Sequence, residues 1–212
     1  MTSKGVKIMC GRFRVEISPK DIIGFYRLIE EIDKRYKAHQ DYFSSEPRDY
    51  YPGTEAVVLT QQGIEKQTWG FPLDKKLVFN SRSESLEEKR MFQPLVDQNR
   101  CVIPATTFYE WNNKRKFTIS TSRAPYFFMA GLCNTYRDET GKPLTRFVIL
   151  TTAADQEMEK IHPRMPVILD AATLKAYLDP SVAYRSIRQQ IVPWNQGLLI
   201  DLAMGEQLSL LD

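Results

Sequence analysis

Apolar residues recur at helical spacing through Ile22, Phe25, Tyr26, Ile29, Ile32 and Tyr36, while Glu30, Glu31, Asp33, Lys34 and Arg35 occupy the other side. This period predicts one amphipathic helix over residues 19–37, with the charged side a solvated face. The preceding run Ser18-Pro19-Lys20-Asp21 supplies its start, with Ser18 as N-cap, Pro19 at the first helical position and Asp21 in the first turn. Residues 40–54 are polar and contain Pro47, Pro52 and Gly53, so they read as a loop.

From residue 56 the chain turns β-rich. Ala56–Thr60 and Ile64–Phe71 flank Gln61-Gln62-Gly63 and predict a hairpin. Further strands are expected at Leu77–Asn80, Cys101–Ile103, Thr107–Trp111, Phe117–Ser120, Tyr126–Gly131, Arg146–Thr151 and Pro166–Leu169, with turns at Asn112-Asn113 and Asp138–Pro143. Short helices are expected at 85–90, 153–161 and 171–178. No repeat or low-complexity linker interrupts this sequence of elements. The economical fold class is α+β: a single domain with a curved, mainly antiparallel, barrel-like sheet and peripheral helices.

Composition narrows the function classes. The 212 residues suffice for one well-cored domain. No apolar run approaches the roughly 18 residues of a membrane span, and Met1–Ile8 lacks the apolar stretch of a secretory signal. Three cysteines without CxxC spacing (Cys10, Cys101, Cys133) and two distant histidines (His39, His162) suggest neither a disulfide framework nor a metal centre, and fit a reducing cytoplasm. A net charge of +3 is compatible with a local phosphate-binding groove and equally with an ordinary soluble protein.

Several residues could carry chemistry. Met9 immediately before Cys10 looks like an alternative start, which would make Cys10 the N-terminal residue. Its amine, with a pKa of about 7.7–8.0, would be roughly one-tenth neutral at pH 7. Such a 1,2-aminothiol condenses with an aldehyde: the amine forms an imine and the thiol then closes a thiazolidine. An internal buried cysteine is the alternative reading. Glu110 lies among aromatics in Thr107-Phe108-Tyr109-Glu110-Trp111, facing the same way as Phe108. Partial desolvation there would raise its pKa and suit acid–base work; a surface glutamate on an edge strand is the alternative. Pro163 biases His162 towards an extended backbone at a helix end, as a proton shuttle or a structural histidine. Asn80-Ser81-Arg82-Ser83-Glu84 could position a ligand's oxygens or merely cap the following helix. If Cys10, Asn80 and His162 converge, so do Arg12, Arg82 and Arg164, and three guanidinium groups around one centre suggest phosphate contacts.

Taken in order, Met9-Cys10-Gly11-Arg12-Phe13, Pro52-Gly53, Trp69-Gly70, Asn80–Glu84, Arg100–Ala105 running into Phe108–Trp111, Ala130-Gly131-Leu132, Thr151–Ala154 and Ile161–Pro166 resemble the SRAP (SOS-response-associated peptidase) family. The resemblance implies a protein that recognises abasic sites in single-stranded DNA and captures the ring-opened sugar aldehyde on an N-terminal cysteine as a thiazolidine crosslink. Carried over by position, Cys10 is the nucleophile and Asn80 holds sugar and amine in register. Glu110 and His162 move protons, Arg12, Arg82 and Arg164 grip phosphates, and Trp69 stacks near exposed bases. It implies no cofactor and no metal, because the condensation is limited by proton transfer and positioning.

The chain departs from the family pattern in places. Residues 1–9 precede Cys10, and an amide nitrogen forms no imine, so translation from Met9 or removal of the prefix is required. Asp49 stands where asparagine is usual, Pro163 replaces a commonly acidic residue, and Cys133-Asn134 replaces an aromatic–acidic pair. The expected organisation is a prefix at 1–9, a catalytic domain at 10–200 and a tail at 201–212, in a monomeric, cytoplasmic, nucleoid-associated protein. A thiol autopeptidase built on Cys10 and a non-catalytic single-strand binder are the competing functions. In the tail, Gln207, Leu208, Leu210 and Leu211 resemble the short peptide by which bacterial repair proteins dock on the sliding clamp. Packing of those leucines on the domain's own core is the alternative.

Overall fold

Five strands closing on one another organise the architecture. The computed structural model describes residues 10–32 and 46–203. The chain starts with β1 (Phe13–Val15), α1 (Pro19–Ile32), β2 (Arg48–Tyr50) and the hairpin of β3 (Glu55–Thr60) and β4 (Gly63–Trp69). Short strands β5 (Phe71–Leu73), β6 (Lys76–Val78) and β7 (Asn80–Arg82) lead into 3-10 turns at Ser83–Ser85 and Gln93–Leu95. The longer strands follow: β8 (Arg100–Ala105), β9 (Thr107–Asn112), β10 (Arg115–Thr121), β11 (Phe127–Arg137) and β12 (Pro143–Ala153). Then come α2 (Gln156–Glu159), β13 (Arg164–Pro166), β14 (Ile168–Leu169), α3 (Ala171–Leu178), α4 (Tyr184–Ile187) and β15 (Leu198–Leu202).

The order β12-β4-β3-β8-β11 returns to β12 and makes a closed barrel, antiparallel except at the β12–β4 pair. Closure pairs the strand edges that an open sheet would expose. A second antiparallel sheet runs β15-β10-β9-β1-β2. The chain passes from barrel to second sheet at Thr106, whose N–H and hydroxyl both donate to Arg14 O, at 2.9 and 3.2 Å. The two sheets share a core in which Trp69 packs 5.2 Å from Phe13 and stacks on Phe147.

Local sequence accounts for these elements. Phe147-Val148-Ile149-Leu150 is apolar at every position because β12 is covered on both faces, and all four are fully buried. Asn113 and Lys114 adopt φ of 48° and 66°, the left-handed pair that lets a two-residue hairpin follow the twist of β9 and β10. At Gly131 a Cβ would lie 2.7 Å from Val148 O and 2.6 Å from Ile103 Cδ1, so the barrel wall needs a residue without one.

The α+β, barrel-like single domain matches the sequence reading, and the β3–β4 hairpin falls where expected. Other boundaries differ. Leu77–Asn80 divides into β6 and β7, and Pro166–Leu169 is broken at Val167, whose N–H and C=O serve Leu150 and Ala130. The expected helices at 85–90 and 153–161 shrink to turns and the single turn α2. Strand β2 lies inside the expected loop, because pairing with β1 overrides its weak local pattern. Described helix ends at Ile32, and Ser18 uses its hydroxyl on the Asp21 carboxylate. Residues 33–37, His39 and the tail from 204 onwards lie outside the described residues.

We expect Gly131→Ala to cost about 1–3 kcal/mol, as overpacking against backbone does. The measurement is the urea midpoint, which should fall at unchanged slope; an unchanged midpoint would show that the wall yields at β11.

Candidate functional site

Cys10 stands three residues before β1 begins and is fully buried, with φ of +37°. Non-glycine residues are held in that left-handed region only where their surroundings enforce it. Two contacts do so. The Cys10 main-chain nitrogen donates to Glu110 Oε1 at 2.6 Å, and Asn80 Nδ2 donates to Cys10 O at 3.5 Å. Three segments about 100 and 70 residues apart thus meet at one cysteine.

Each partner is delivered by strand geometry. The β1–β9 register sets Phe13 opposite Phe108, and Tyr109 N–H donates to Arg12 O. Side chains alternate along β9, so Glu110 turns inward with Phe108 while Tyr109 turns outward. Glu110 is fully buried, which excludes the surface-glutamate reading. Asn80 heads β7, lying beside Ile149 of β12. Burial, helped by the nearby Glu110 charge, pushes the Cys10 thiol well above its ordinary pKa. The sulfur is therefore held as S–H.

His162 is buried, and its Nδ1 lies 3.2 Å from both the N–H and the C=O of Arg164. When Nδ1 accepts from that N–H, the neutral ring carries its proton on Nε2. The segment is tied to β9 by Asn112, whose side-chain amide donates to Lys160 O at 2.9 Å. Thr151 of β12 joins two of the arginines: Arg82 is its register partner on β7, and Arg164 Nη2 donates to its carbonyl at 2.7 Å. Arg82 is exposed. Arg164 also forms a bidentate pair with Glu84, at 2.7 and 2.8 Å.

Arg12 is placed differently. It lies on the outward face of β1, between the rings of Tyr51 and Tyr109 at 5.1 and 4.7 Å, and its Nη2 meets Asp49 Oδ2 at 2.6 Å. Arg14 reaches both oxygens of the same carboxylate at 3.1 Å, and the Tyr109 hydroxyl donates to it at 3.3 Å. Burial alone would raise the Asp49 pKa; hydrogen bonds from Arg14 and Arg12 overcome this and hold it at about 2. Any phosphate approaching Arg12 competes with Asp49. Lys116 extends the cluster, its Nζ lying 4.7 Å from the Tyr109 ring.

Trp69 does not lie beside exposed bases, where the family resemblance puts it: its side chain is fully buried, its indole N–H donates to Phe79 O at 2.8 Å, and its faces meet Phe13 and Phe147. Its position makes it core. Tyr51 and Lys116 escaped the sequence reading; the spacing of Tyr51 from Pro52-Gly53 was visible, but only the β1–β2 register places it against Arg12.

The sequence matches the family described as SOS response associated peptidase (SRAP) over residues 9–201. It is 31% identical over 188 residues to the abasic site processing protein YoqW of Bacillus subtilis, covering 81% of each chain. It is 29% identical over 197 residues to the abasic site processing protein YedK of Escherichia coli, covering 86% of this chain and 81% of that one. A crystal structure of a Bacteroides thetaiotaomicron protein has the same fold, with a TM-score of 0.74 over 91% of each chain at 19% identity.

Stability contributed by the Asp49–Arg12–Arg14 cluster is complete above the ordinary carboxylate pKa and is lost as pH falls towards about 2. This increment is up to about 2 kcal/mol. Urea midpoints measured down through that range should therefore fall less steeply for Asp49→Asn than for the natural protein.

Proposed function

This chain belongs to the SOS response associated peptidase (SRAP) family, and on that ground we propose that it processes abasic sites in single-stranded DNA, capturing the lesion covalently on Cys10. The observation that carries the reading is the 2.6 Å hydrogen bond from the Cys10 nitrogen to buried Glu110. Once residues 1–9 are gone, whether by initiation at Met9 and hydrolytic removal of that methionine or by cleavage before Cys10, that nitrogen is an α-amine resting on a carboxylate able to take its proton.

The order of steps follows from the electrostatics. The thiol, held protonated by burial and by the Glu110 charge, leaves the amine as first nucleophile. The amine adds to the aldehyde carbon of the ring-opened sugar, and loss of water gives the imine. The thiol then adds across the C=N bond: sulfur bonds to carbon, the S–H proton ends on nitrogen, and the thiazolidine closes. Glu110 and His162 carry the protons, and Asn80 keeps the cysteine in register. Arg82 and Arg164 hold flanking phosphates, and Arg12 does so in competition with Asp49. Docking on a sliding clamp through Gln207, Leu208, Leu210 and Leu211 and a place at the nucleoid belong to the same proposal.

Cleavage before Cys10 would be the peptidase activity in the family's name; by either route, loss of residues 1–9 in the mass of the purified protein shows that Cys10 is freed. Protein beginning at Cys10 should give a denaturant-resistant band with an abasic single-stranded oligonucleotide, and Cys10→Ala should not. Equal yield from protein shown by mass to retain residues 1–9 would overturn the assigned role of Cys10.

Glu110→Gln and His162→Ala should slow crosslinking by about 100- to 10,000-fold while leaving affinity for undamaged strands near that of the natural protein. Charge reversal at Arg82 should instead weaken strand binding and flatten its salt dependence. Equal loss of affinity in both sets of variants would contradict these roles.

A further inference from the structure

Burial of Trp69 leaves the proposed site without the aromatic surface expected there, and the structure offers another. Among the described residues, Tyr51 is the one aromatic among the well-exposed large apolar side chains, at 42% exposed. We propose that Tyr51 is a stacking platform for a nucleobase of the single strand adjacent to the lesion. This rests on the single-stranded DNA reading above and adds a base-contacting residue to it.

The placement comes from strand register. Phe13 pairs with Tyr50 across β1 and β2, so the next position along brings Tyr51 opposite Arg12, two residues from Cys10. Arg12 lies against one side of the tyrosine ring, with Cζ 5.1 Å from its centroid. The residue nevertheless remains 42% exposed, and the proposal assigns the base to the ring face away from Arg12. Arg12 is itself held by Asp49 at 2.6 Å and by the second ring, Tyr109, at 4.7 Å, so the support behind Tyr51 is fixed rather than mobile.

The backbone of Tyr51 is equally constrained. Tyr51-Pro52-Gly53-Thr54 is a β-turn in which Thr54 N–H donates to Tyr51 O at 2.9 Å. Gly53, at φ of +91°, takes the left-handed position that such a turn demands, and proline precedes it. The Thr54 hydroxyl accepts from Tyr51 N–H at 3.1 Å and donates to Tyr51 O at 2.8 Å. Gly53 N–H and Thr54 O bond in turn to the two main-chain groups of Trp69, so the turn is anchored to barrel strand β4. A ring presented this way loses little conformational freedom when a base stacks on it.

The charges around the ring suit a nucleic-acid strand. Among the described residues, Arg12, Arg14 and Lys116 gather around Asp49 and the Tyr109 ring, three cations against the two carboxylates of Asp49 and Glu16, while Arg48 lies over the Tyr50 ring on the other face of β2. Cations interleaved with an exposed aromatic are the pattern by which proteins hold single strands without reading sequence, the cations meeting phosphates and the ring meeting a base. Duplex DNA, whose bases are already stacked, could not use such a platform.

The test uses the full chain beginning at Cys10, and single-stranded oligonucleotides carrying a tetrahydrofuran abasic analogue, which cannot be crosslinked. The fluorescent base 2-aminopurine is placed at successive positions on either side of the analogue. The natural protein should quench 2-aminopurine at one flanking position. Tyr51→Ala and Tyr51→Leu should abolish that quenching and weaken binding by about 5- to 150-fold, whereas Tyr51→Phe and Tyr51→Trp should retain both. The leucine variant keeps apolar cover over Arg12, and circular dichroism checks that each variant is folded.

The slope of log affinity against log salt should be the same in Tyr51→Leu as in the natural protein, since no phosphate contact is lost. A flattened slope would mean that Tyr51 acts only by holding Arg12, and would overturn the proposal. So would unchanged affinity in Tyr51→Ala, or failure of phenylalanine to restore binding. Failure of the parent reading looks different: the natural protein would then neither bind the single strand nor crosslink a true abasic oligonucleotide.

Discussion

The hydrogen bond from the Cys10 nitrogen to Glu110 is the constraint on which the site depends. A fully buried carboxylate carries a large desolvation cost, and a short N–H donor at 2.6 Å is the kind of partner that offsets it. The bond in turn explains the left-handed backbone at Cys10: the residue bends to bring its nitrogen, rather than its side chain, onto the acid. A buried acid paired to a backbone nitrogen is ordinary structural chemistry while that nitrogen is an amide. It becomes acid–base chemistry when the same nitrogen is an amine.

One strand pair serves two purposes because side chains alternate. Inward from β1 and β9 lie Phe13, Phe108 and Glu110, continuous with the barrel core through Trp69. Outward lie Arg12 and Tyr109, with Asp49 and Tyr51 added from the β2 side. Under the proposed function, proton handling and strand gripping fall on opposite faces of the same two-stranded ribbon.

The barrel contributes rigidity where the site needs it. Strand β12 is buried along its middle, pairs with β7, and carries Thr151 between Arg82 and Arg164. Arg164 is further held by Glu84, whose carboxyl that pairing lowers in pKa against the opposing effect of burial. Arg12 and Arg164 both meet carboxylates, so binding of a polyanion at either would exchange one ion pair for another. Arg82, exposed, makes no such exchange among the described pairs.

Much of this was legible in the residues themselves. Periodicity located the start of α1, the β3–β4 hairpin and the β-rich middle, because those signals are local: a cap, a turn, an alternation. Order and spacing of short motifs singled out Cys10, Asn80 and Glu110, which the fold brings into contact. Local sequence could not tell that Glu110 is buried rather than an exposed edge residue, that Trp69 is core, or that β2 is a strand at all. Each of those depends on what lies across a strand boundary, set by registers between residues as far apart as Arg12 and Asp49 or Cys10 and Glu110. Side-chain alternation has a period of two, so pairing alone decides which face, and therefore which chemistry, each residue joins.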